Sequence, residues 1–399
     1  MDPLHFPERN KMTKSKGLNS VSLKGIIISG IVAVGLAACS QEEVSEPAVP
    51  ESGLKPLSLE KGGMDQTGPY EVVEGWFKPG IDRWDQPPTA VLVDSSDRIF
   101  VAFAGQQMTQ PGSLMYTADG KVMQERSTTS ELPASEKKQI HQIVVLNGNG
   151  EIIEDWSQWN DVFGMPHALS INPYDPERHL WVVDTGHQVF KFTNDGTEMV
   201  LHLGEKGVSG WSESHFNMPS SIAFLPDGTF LVADGYVNGR IVKFDADGNY
   251  ISEFGSKGSG PGQFDLVHAI TMDDQGRIYA ADRRNHRIQV FDRDGNFIEE
   301  WPSLGSPTKV RITEDQKLWV TDAQFTRFAK YDLNGRLLTY WGTQGDGLGE
   351  FDNLHSFDVD TSGNLYVGDA WNNRVQKLVP KAGADPLRLI GQQYFLPSD

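Results

Sequence analysis

The sequence predicts an all-β fold, a six-bladed β-propeller built from four-stranded blades. Three observations predict it. The chain is rich in glycine (41) and in aromatic residues (10 Trp, 10 Tyr and 20 Phe), and it lacks long runs of helix-favouring residues. A unit of about 40 to 50 residues also recurs from residue 86 onward. Repeats of this kind bury their hydrophobic faces only against neighbouring repeats.

The repeating unit is predicted to be a four-stranded antiparallel sheet. In residues 218–255, four short alternating stretches are separated by turns that include Asp227-Gly228 and Asp247-Gly248, and residues 269–301 follow the same plan. Asp-Gly between alternating hydrophobic stretches is a strong signal for a β-hairpin. One such sheet cannot cover both of its faces, so we expect the units to stack radially around a central channel.

Six units are predicted, so that the propeller spans residues 71–380 and a C-terminal tail follows over 381–399. The first unit carries a polar insertion at residues 105–138. The sixth unit lacks an outer strand, which residues 71–77 or 388–391 could supply. We favour 71–77, because closure by the N-terminal segment joins the two ends of the ring and removes an exposed sheet edge. The units begin near Gln86, Gly164, Phe216, Phe264, Leu304 and Phe351.

The N-terminal region predicts export and a lipid anchor. Residues 1–38 contain a lysine-bearing segment and an apolar run over 25–36, which is too short to span a membrane but typical of a signal peptide. The run ends at residues 36–39 (LAAC), which resemble the lipobox of bacterial lipoproteins, so lipidation is predicted at Cys39. Residues 39–70, rich in Glu, Pro, Ser and Gly, predict a flexible tether. We expect a periplasm-facing protein of the bacterial cell envelope, with Ser40 favouring the outer membrane.

The charge of the chain excludes one class of partner. The formal net charge is −19, and residues 1–38 contain five basic and two acidic residues, so the chain without them is near −22. A surface of this sign repels phosphate backbones, so no nucleic-acid partner is expected. It is compatible with a cation site. Cys39 is the only cysteine, so no disulfide is possible within the mature protein, and we expect a membrane-anchored monomer.

Histidine occupies one shared position in alternate units. The first strand of each blade is innermost, so matched positions on it face the channel at the same height. Three imidazoles converging from three directions suit a tetrahedral zinc with one open position, although nickel, iron or copper would also accept them. The alternative is a set of unrelated polar residues that line a wet channel. In blade order, the shared position holds Thr89, His167, Ser220, His268, Thr308 and His355.

The units are similar to NHL repeats, on residues 258–264 (GSGPGQF), 278–282 (IYAAD) and 285–291 (NHRIQVF). Around the histidines, the chain resembles the lyase domain of the peptidylglycine α-amidating enzymes. The resemblance implies a zinc-dependent propeller that cleaves a peptidyl-α-hydroxyglycine into a peptide amide and glyoxylate. It is carried by residues 165–171 (MPHALSI), 187–191 (HQVFK), 234–242 (DGYVNGRIV), 267–269 (VHA), 281–283 (ADR), His355 and 368–370 (GDA).

By this resemblance, His167, His268 and His355 would bind zinc, Tyr236 would accept a proton, and Arg283 would hold a positive charge beside it. A phenol next to a cation and a metal loses its proton more readily than a free phenol. The expected substrate is a small or peptidyl α-hydroxy-amide. Two alternatives stay open: a non-enzymatic NHL scaffold that binds a protein or glycan, and a lactonase-like propeller with calcium in a carboxylate-lined channel.

The chain departs from the lyase family at two positions. Ser356 follows His355 where the family has an aspartate associated with a structural calcium, so calcium is not predicted. Ala104 is the nearest match to an arginine that the family places on its first blade, which bears on how a substrate carboxylate is held. One aspartate recurs in nearly every unit and is predicted to cap turns without a chemical role. These aspartates are Asp184, Asp234, Asp282, Asp322 and Asp369.

Overall fold

The computed structural model describes residues 67–80, 86–105, 141–302 and 305–397. These residues form six four-stranded antiparallel sheets, which are the predicted blades, and one short parallel pair, Ser256–Lys257 with Gln263–Phe264. The predicted all-β, six-bladed fold is therefore confirmed. The signal peptide, Cys39 and almost all of the insertion predicted at 105–138 lie outside the described residues.

Five blades follow the chain in simple order from the innermost to the outermost strand. Blade one contains Pro88–Ser95, Arg98–Phe103, Ile143–Leu146 and Ile152–Asp155. Blade two contains Pro166–Ile171, Leu180–Asp184, Gln188–Phe192 and Met199–Gly204. Blade three contains Ser221–Phe224, Phe230–Asp234, Arg240–Phe244 and Tyr250–Phe254. Blade four contains Val267–Met272, Ile278–Asp282, Arg287–Phe291 and Phe297–Trp301. Blade five contains Pro307–Ile312, Leu318–Asp322, Arg327–Tyr331 and Leu337–Trp341.

Blade six joins the two ends of the ring. Its inner strands are Leu354–Val359, Leu365–Asp369 and Arg374–Pro380, and its outer strand is Tyr70–Val72. The N-terminal segment thus closes the ring, but the strand begins at Tyr70, one residue earlier than expected, and ends before 77. Tyr70 is fully buried and its hydroxyl accepts a hydrogen bond from the Ile390 N–H, so it belongs to the propeller and not to the tether assigned to 39–70.

The Asp-Gly turns form by the expected local chemistry. Between the last two strands of blade three, Gly248 has φ 85°, a left-handed conformation that favours glycine. The Asp245 carboxylate accepts hydrogen bonds from the backbone N–H groups of Asp247 and Asn249. Blade four repeats this turn with Asp292 and Gly295. These turns fix the register of each hairpin and so place the inner strands around the channel.

The hydrophobic core lies between the blades. One cluster joins Phe100 and Ile143 of blade one to Leu169 and Phe190 of blade two, and the corresponding clusters join the other neighbouring blades. Each sheet is therefore covered by its neighbours, as radial stacking requires. The first strands of adjacent blades pack against each other and enclose the channel.

The C-terminal segment packs against the propeller and is more than a tail. The backbone N–H of Tyr394 donates to the Ile312 carbonyl, and Leu396 is buried among residues of blades three and four. Because these contacts lie where the first strands end, the segment runs across that end of the channel. A cavity of about 150 Å³ lies between the C-terminal segment and the ends of the first strands, and it is lined in part by Arg311, Asp358 and Phe395.

Across the described residues, we find no helix long and apolar enough to cross a membrane.

Candidate functional site

The three histidines predicted to bind a metal come together in the channel. His167, His268 and His355 lie on the first strands of blades two, four and six, and all three are buried. Their ring centroids are 4.8, 4.9 and 5.0 Å apart, and one nitrogen from each ring lies within 4.8 Å of the others. The shared sequence position therefore corresponds to a shared point in space.

A local irregularity directs each imidazole into the channel. The strand pairing shifts by one residue at His167, at His268 and at His355, so each histidine lies at a β-bulge. A bulge leaves its extra residue unpaired and re-aims that side chain. The first strands of blades one and five have the same shift at Thr89 and Thr308.

A ring of hydrogen bonds explains why histidine alternates with a small hydroxyl residue. The hydroxyls of Thr89, Ser220 and Thr308 each donate to the carbonyl of the residue that precedes the next histidine, at 2.6 Å in all three cases. Each histidine in turn bonds through Nδ1 to the carbonyl of a hydroxyl residue on the following blade, at distances of 2.8, 2.5 and 2.7 Å for His167, His268 and His355. The six first strands are thus linked to one another around the channel.

This ring sets the tautomer of the histidines. A backbone carbonyl can only accept, so each Nδ1 carries the proton and each Nε2 presents a lone pair. Burial lowers the pKa of His167 and His268 well below 6.5, and neighbouring histidines and Arg283 lower it further. Burial and Arg283 lower the pKa of His355 to about 4. Neutral imidazoles with fixed orientation are the form that binds a metal.

Tyr236 and Arg283, predicted as catalytic residues, lie beside the histidines. Tyr236 follows the second strand of blade three, and its hydroxyl oxygen is 2.9 Å from His167 Nε2 and 3.1 Å from His268 Nε2. Arg283 follows the second strand of blade four and donates from Nε to the Ser306 hydroxyl at 3.0 Å, and its positive charge acts on the Tyr236 phenol. Burial raises the pKa of Tyr236, and Arg283 and Arg284 offset part of that rise.

Three residues near the site were missed by sequence reasoning. Ser306 holds Arg283, Arg284 contributes charge to the Tyr236 environment, and Lys309 lowers the pKa of both His167 and His355. Blade two lies opposite blade five across the ring, so a lysine that acts on both histidines must extend into the channel. One signal was available: Lys309 directly follows the shared position, where the other blades have only Ala or Ser.

Ala104 and Ser356, the two positions that depart from the amidating lyases, both make ordinary structural hydrogen bonds. Ala104 is fully buried and its N–H donates to the Pro87 carbonyl, so this position brings no charge to the channel. The Ser356 hydroxyl accepts a hydrogen bond from the Val91 N–H at 3.1 Å, which links blade six to blade one.

The recurring aspartates behave as turn caps. Each carboxylate accepts hydrogen bonds from the backbone N–H groups that lead into the first strand of its own blade, for example those of Gly164 and Met165 at Asp184. A second cluster with metal-binding geometry, Asp175, Glu177 and His179, is occupied by its own ion pairs: both ring nitrogens of His179 face carboxylates.

Comparisons with known proteins agree with this architecture. A family model described as a 6-bladed beta-propeller matches residues 212–302. A probable peptidyl-alpha-hydroxyglycine alpha-amidating lyase of Caenorhabditis elegans is 35% identical over 147 residues, which cover 36% of this chain and 41% of that protein. NHL repeat-containing protein 3 of Homo sapiens is 29% identical over 266 residues, covering 60% of this chain and 73% of that protein.

A solved streptogramin B lyase structure superposes with a TM-score of 0.51 at 12% identity, covering 77% of this chain and 97% of that chain, which is a likeness of fold alone. The chain spans less than half of the length of the worm relative. Sequence and structure comparisons agree on the propeller architecture. The chain is a six-bladed β-propeller with homology to the amidating lyases and to the NHL-repeat proteins.

Proposed function

We propose that this chain is a zinc-dependent lyase of the peptidyl-α-hydroxyglycine amidating type, which cleaves a C–N bond to give an amide and glyoxylate. One observation carries the proposal. Three imidazoles whose Nδ1 atoms donate to backbone carbonyls bring one ring nitrogen each within 4.8 Å of the others, beside a phenol whose ionisation is favoured by the charge of an arginine. The name of the worm relative supports the choice of reaction.

The residues fit a metal. His167, His268 and His355 are the ligands of the proposed site, because each has its Nε2 lone pair available and its Nδ1 held by a backbone carbonyl. When bound, zinc supplies Lewis-acid polarisation of the substrate hydroxyl or carboxylate. Nickel, iron and copper share this preference for imidazole, so metal content must be measured.

The chain itself supplies the proton chemistry. Tyr236, as phenolate, accepts the proton of the substrate hydroxyl while the C–O bond becomes the aldehyde of glyoxylate and the C–N bond breaks. The resulting phenol can pass that proton to the departing amide nitrogen, so the reaction is balanced without an oxidant. Arg283 stabilises the phenolate, because its positive charge favours the ionised form of Tyr236.

The first test measures metal and turnover together. Purified protein should contain one equivalent of zinc by elemental analysis, and His167→Ala, His268→Ala and His355→Ala should each lose most of it while staying folded. His202→Ala is the control, because its ring stacks on Phe190 and bonds to Gln188, outside the channel. Tyr236→Phe should keep the zinc and lose about 10²- to 10⁴-fold in cleavage of N-benzoyl-α-hydroxyglycine. A wild-type protein without metal, or equal metal loss from the control, would refute the proposal.

A scaffold without catalysis is the second candidate function. It is favoured by the match to NHL repeat-containing protein 3, which extends over 73% of that protein. Such a propeller would bind a protein or glycan partner and would have no need for stoichiometric zinc. Metal content therefore separates the two candidates.

We also propose that the chain acts as a monomer at the bacterial cell envelope, on small-molecule or peptide substrates and without nucleic acid. The anchor is a lipid on Cys39, supported by the LAAC pattern at 36–39, and the acidic charge of the remaining chain supports the absence of a nucleic-acid partner.

A further inference from the structure

We infer that Arg284 binds the carboxylate of the substrate, and this inference rests on the proposed lyase function. Arg283 and Arg284 are consecutive in one turn of 3-10 helix, Arg283–Asn285, directly after the second strand of blade four. The turn is held in place by Asn285, whose side-chain amide donates to the Gly258 carbonyl and to the Asp282 carboxylate, both at 2.8 Å. The backbone of both arginines is therefore held in one turn beside the histidine site.

The two arginines differ in what they already bind. Arg283 already donates from Nε to the Ser306 hydroxyl, and its charge acts on the Tyr236 phenol. Arg284 is exposed and makes no hydrogen bond or ion pair with any residue in the part of the chain that the structure describes. Arg284 directly follows Arg283, whose side chain lies beside Tyr236, and its charge also acts on the Tyr236 phenol, so this turn brings a second guanidinium close to the site.

Most of the described arginines form ion pairs with Asp or Glu, whereas Arg284 does not. A free guanidinium at the mouth of a site offers two parallel N–H donors that match a carboxylate. Because the chain carries a net charge of −19, an anionic substrate is repelled elsewhere and attracted where two arginines lie together. The arginines that do form ion pairs with Asp or Glu are Arg98, Arg178, Arg240, Arg277, Arg287, Arg311, Arg327, Arg336 and Arg374.

The first blade provides no competing cation among the described residues near the site. Ala104 is the nearest match to the arginine that the lyase family places on its first blade, and it is buried and uncharged. Lys309 acts on the histidines from the first strand of blade five, where it follows the shared position. Among the described residues, Arg284 is thus an unpaired cation in the turn that also carries Arg283.

The test compares an acid with its ester. N-benzoyl-α-hydroxyglycine carries the carboxylate, and its methyl ester keeps the hydroxyl and the C–N bond but not the charge. Arg284→Gln should lower the ratio of kcat/KM for the acid to that for the ester at least about tenfold, because a charge-assisted pair is lost only with the acid. Any effect through Tyr236 acts on both substrates and cancels in the ratio. Arg293→Gln, which removes another exposed arginine on a turn of blade four, should leave the ratio unchanged.

A binding measurement separates this inference from the proposed reaction. N-benzoylglycine, which cannot be cleaved, should bind wild-type protein in calorimetry and lose at least about tenfold in affinity in Arg284→Gln. If neither hydroxyglycine compound is cleaved, the lyase proposal fails and calorimetry alone decides the role of Arg284. An unchanged acid-to-ester ratio, equal affinity in the two proteins, or no binding of N-benzoylglycine by wild-type protein would each overturn the inference.

Discussion

Lys309 is the residue whose charge is least compensated in the channel. Its ammonium has no hydrogen-bond or ion-pair partner among the described residues, and the nearby charges include Arg311 as well as Asp358. Burial and Arg311 lower the pKa of Lys309 from 10.5 to about 8. Asp358 offsets part of this decrease, but its carboxylate also pairs with Arg311. A group of this kind is retained at a cost to stability, which can be measured.

We predict that Lys309→Met stabilises the fold at pH 7. A change from 10.5 to about 8 corresponds to roughly 3 kcal/mol at 1.36 kcal/mol per pKa unit. Below pH 8 the lysine is charged in the folded and unfolded chains, so the full cost is present. Between pH 8 and 10.5 the folded chain releases the proton first, and wild-type stability should rise toward that of the variant. Urea unfolding across this range measures the difference; a gap that stays constant with pH contradicts the prediction.

At the scale of elements, the first strands act as one ring. Thr308 shows how: its hydroxyl donates to the Leu354 carbonyl, and its own carbonyl accepts from His268. One residue thus connects blades four, five and six. The alternation of histidine with hydroxyl residues is therefore a structural requirement of the ring as well as a chemical one, because each imidazole needs a carbonyl partner that is itself held in place.

Thr308→Val tests this ring, since valine keeps the shape and removes the donor. The buried Leu354 carbonyl loses a hydrogen bond, so the free energy of unfolding should fall by about 1 kcal/mol. Zinc affinity should fall as well, because the strand that orients His268 and His355 is loosened. Thr339→Val, on the outer strand of the same blade, is the matched control and should change neither quantity. Equal effects from the two variants would show that the ring does not position the histidines.

At the scale of the whole molecule, both chain ends complete the propeller. Tyr70–Val72 supplies the outer strand of blade six, and the Tyr70 hydroxyl receives the Ile390 N–H from the C-terminal segment. That segment then crosses the end of the channel that lies away from Tyr236. Among the described residues, the C-terminal segment thus covers the end of the channel away from the proposed site.

The contribution of the C-terminal segment is predicted from two leucines. Leu396 is 5% exposed and packs against blades three and four, whereas Leu387 is 72% exposed. Leu396→Ala should therefore lower the free energy of unfolding by about 2 kcal/mol, at the lower end for buried leucines because a terminal segment can readjust. Leu387→Ala should be nearly neutral. Thermal or urea unfolding compares the two, and similar losses would mean that the segment is not part of the cooperative unit.

The lipid anchor makes a prediction about the location of the molecule. Cys39→Ser removes the thiol that would receive the lipid, so the protein should leave the detergent phase in a Triton X-114 partition and appear in the aqueous phase. Wild-type protein expressed in a bacterial host should partition with detergent. Unchanged partitioning of the variant would show that Cys39 is not the point of attachment.

The sequence by itself determined the blade count, the hairpin turns and the shared position of the histidines. The alternation of hydrophobic and polar residues, the Asp-Gly turns and the shared strand register depend on residues that are close in sequence. A repeat protein shows each of these features several times, which makes them easy to recognise. From this register the convergence of His167, His268 and His355 follows without coordinates. The resemblance to a lyase added Tyr236 and Arg283, which occur in loops where periodicity says nothing.

The tertiary structure decided what depends on contacts between distant segments. The closing strand begins at Tyr70 because its pairing with residues 378–380 and its contact with Ile390 select it, and these partners lie more than 300 residues away. The tautomers of the histidines follow from carbonyls on the next blade. The free charge of Arg284 and the buried charge of Lys309 depend on which carboxylates are near in space. Spacing along the sequence cannot show which charged groups are neighbours, because the interaction energy of two charges depends on their distance and burial in the fold.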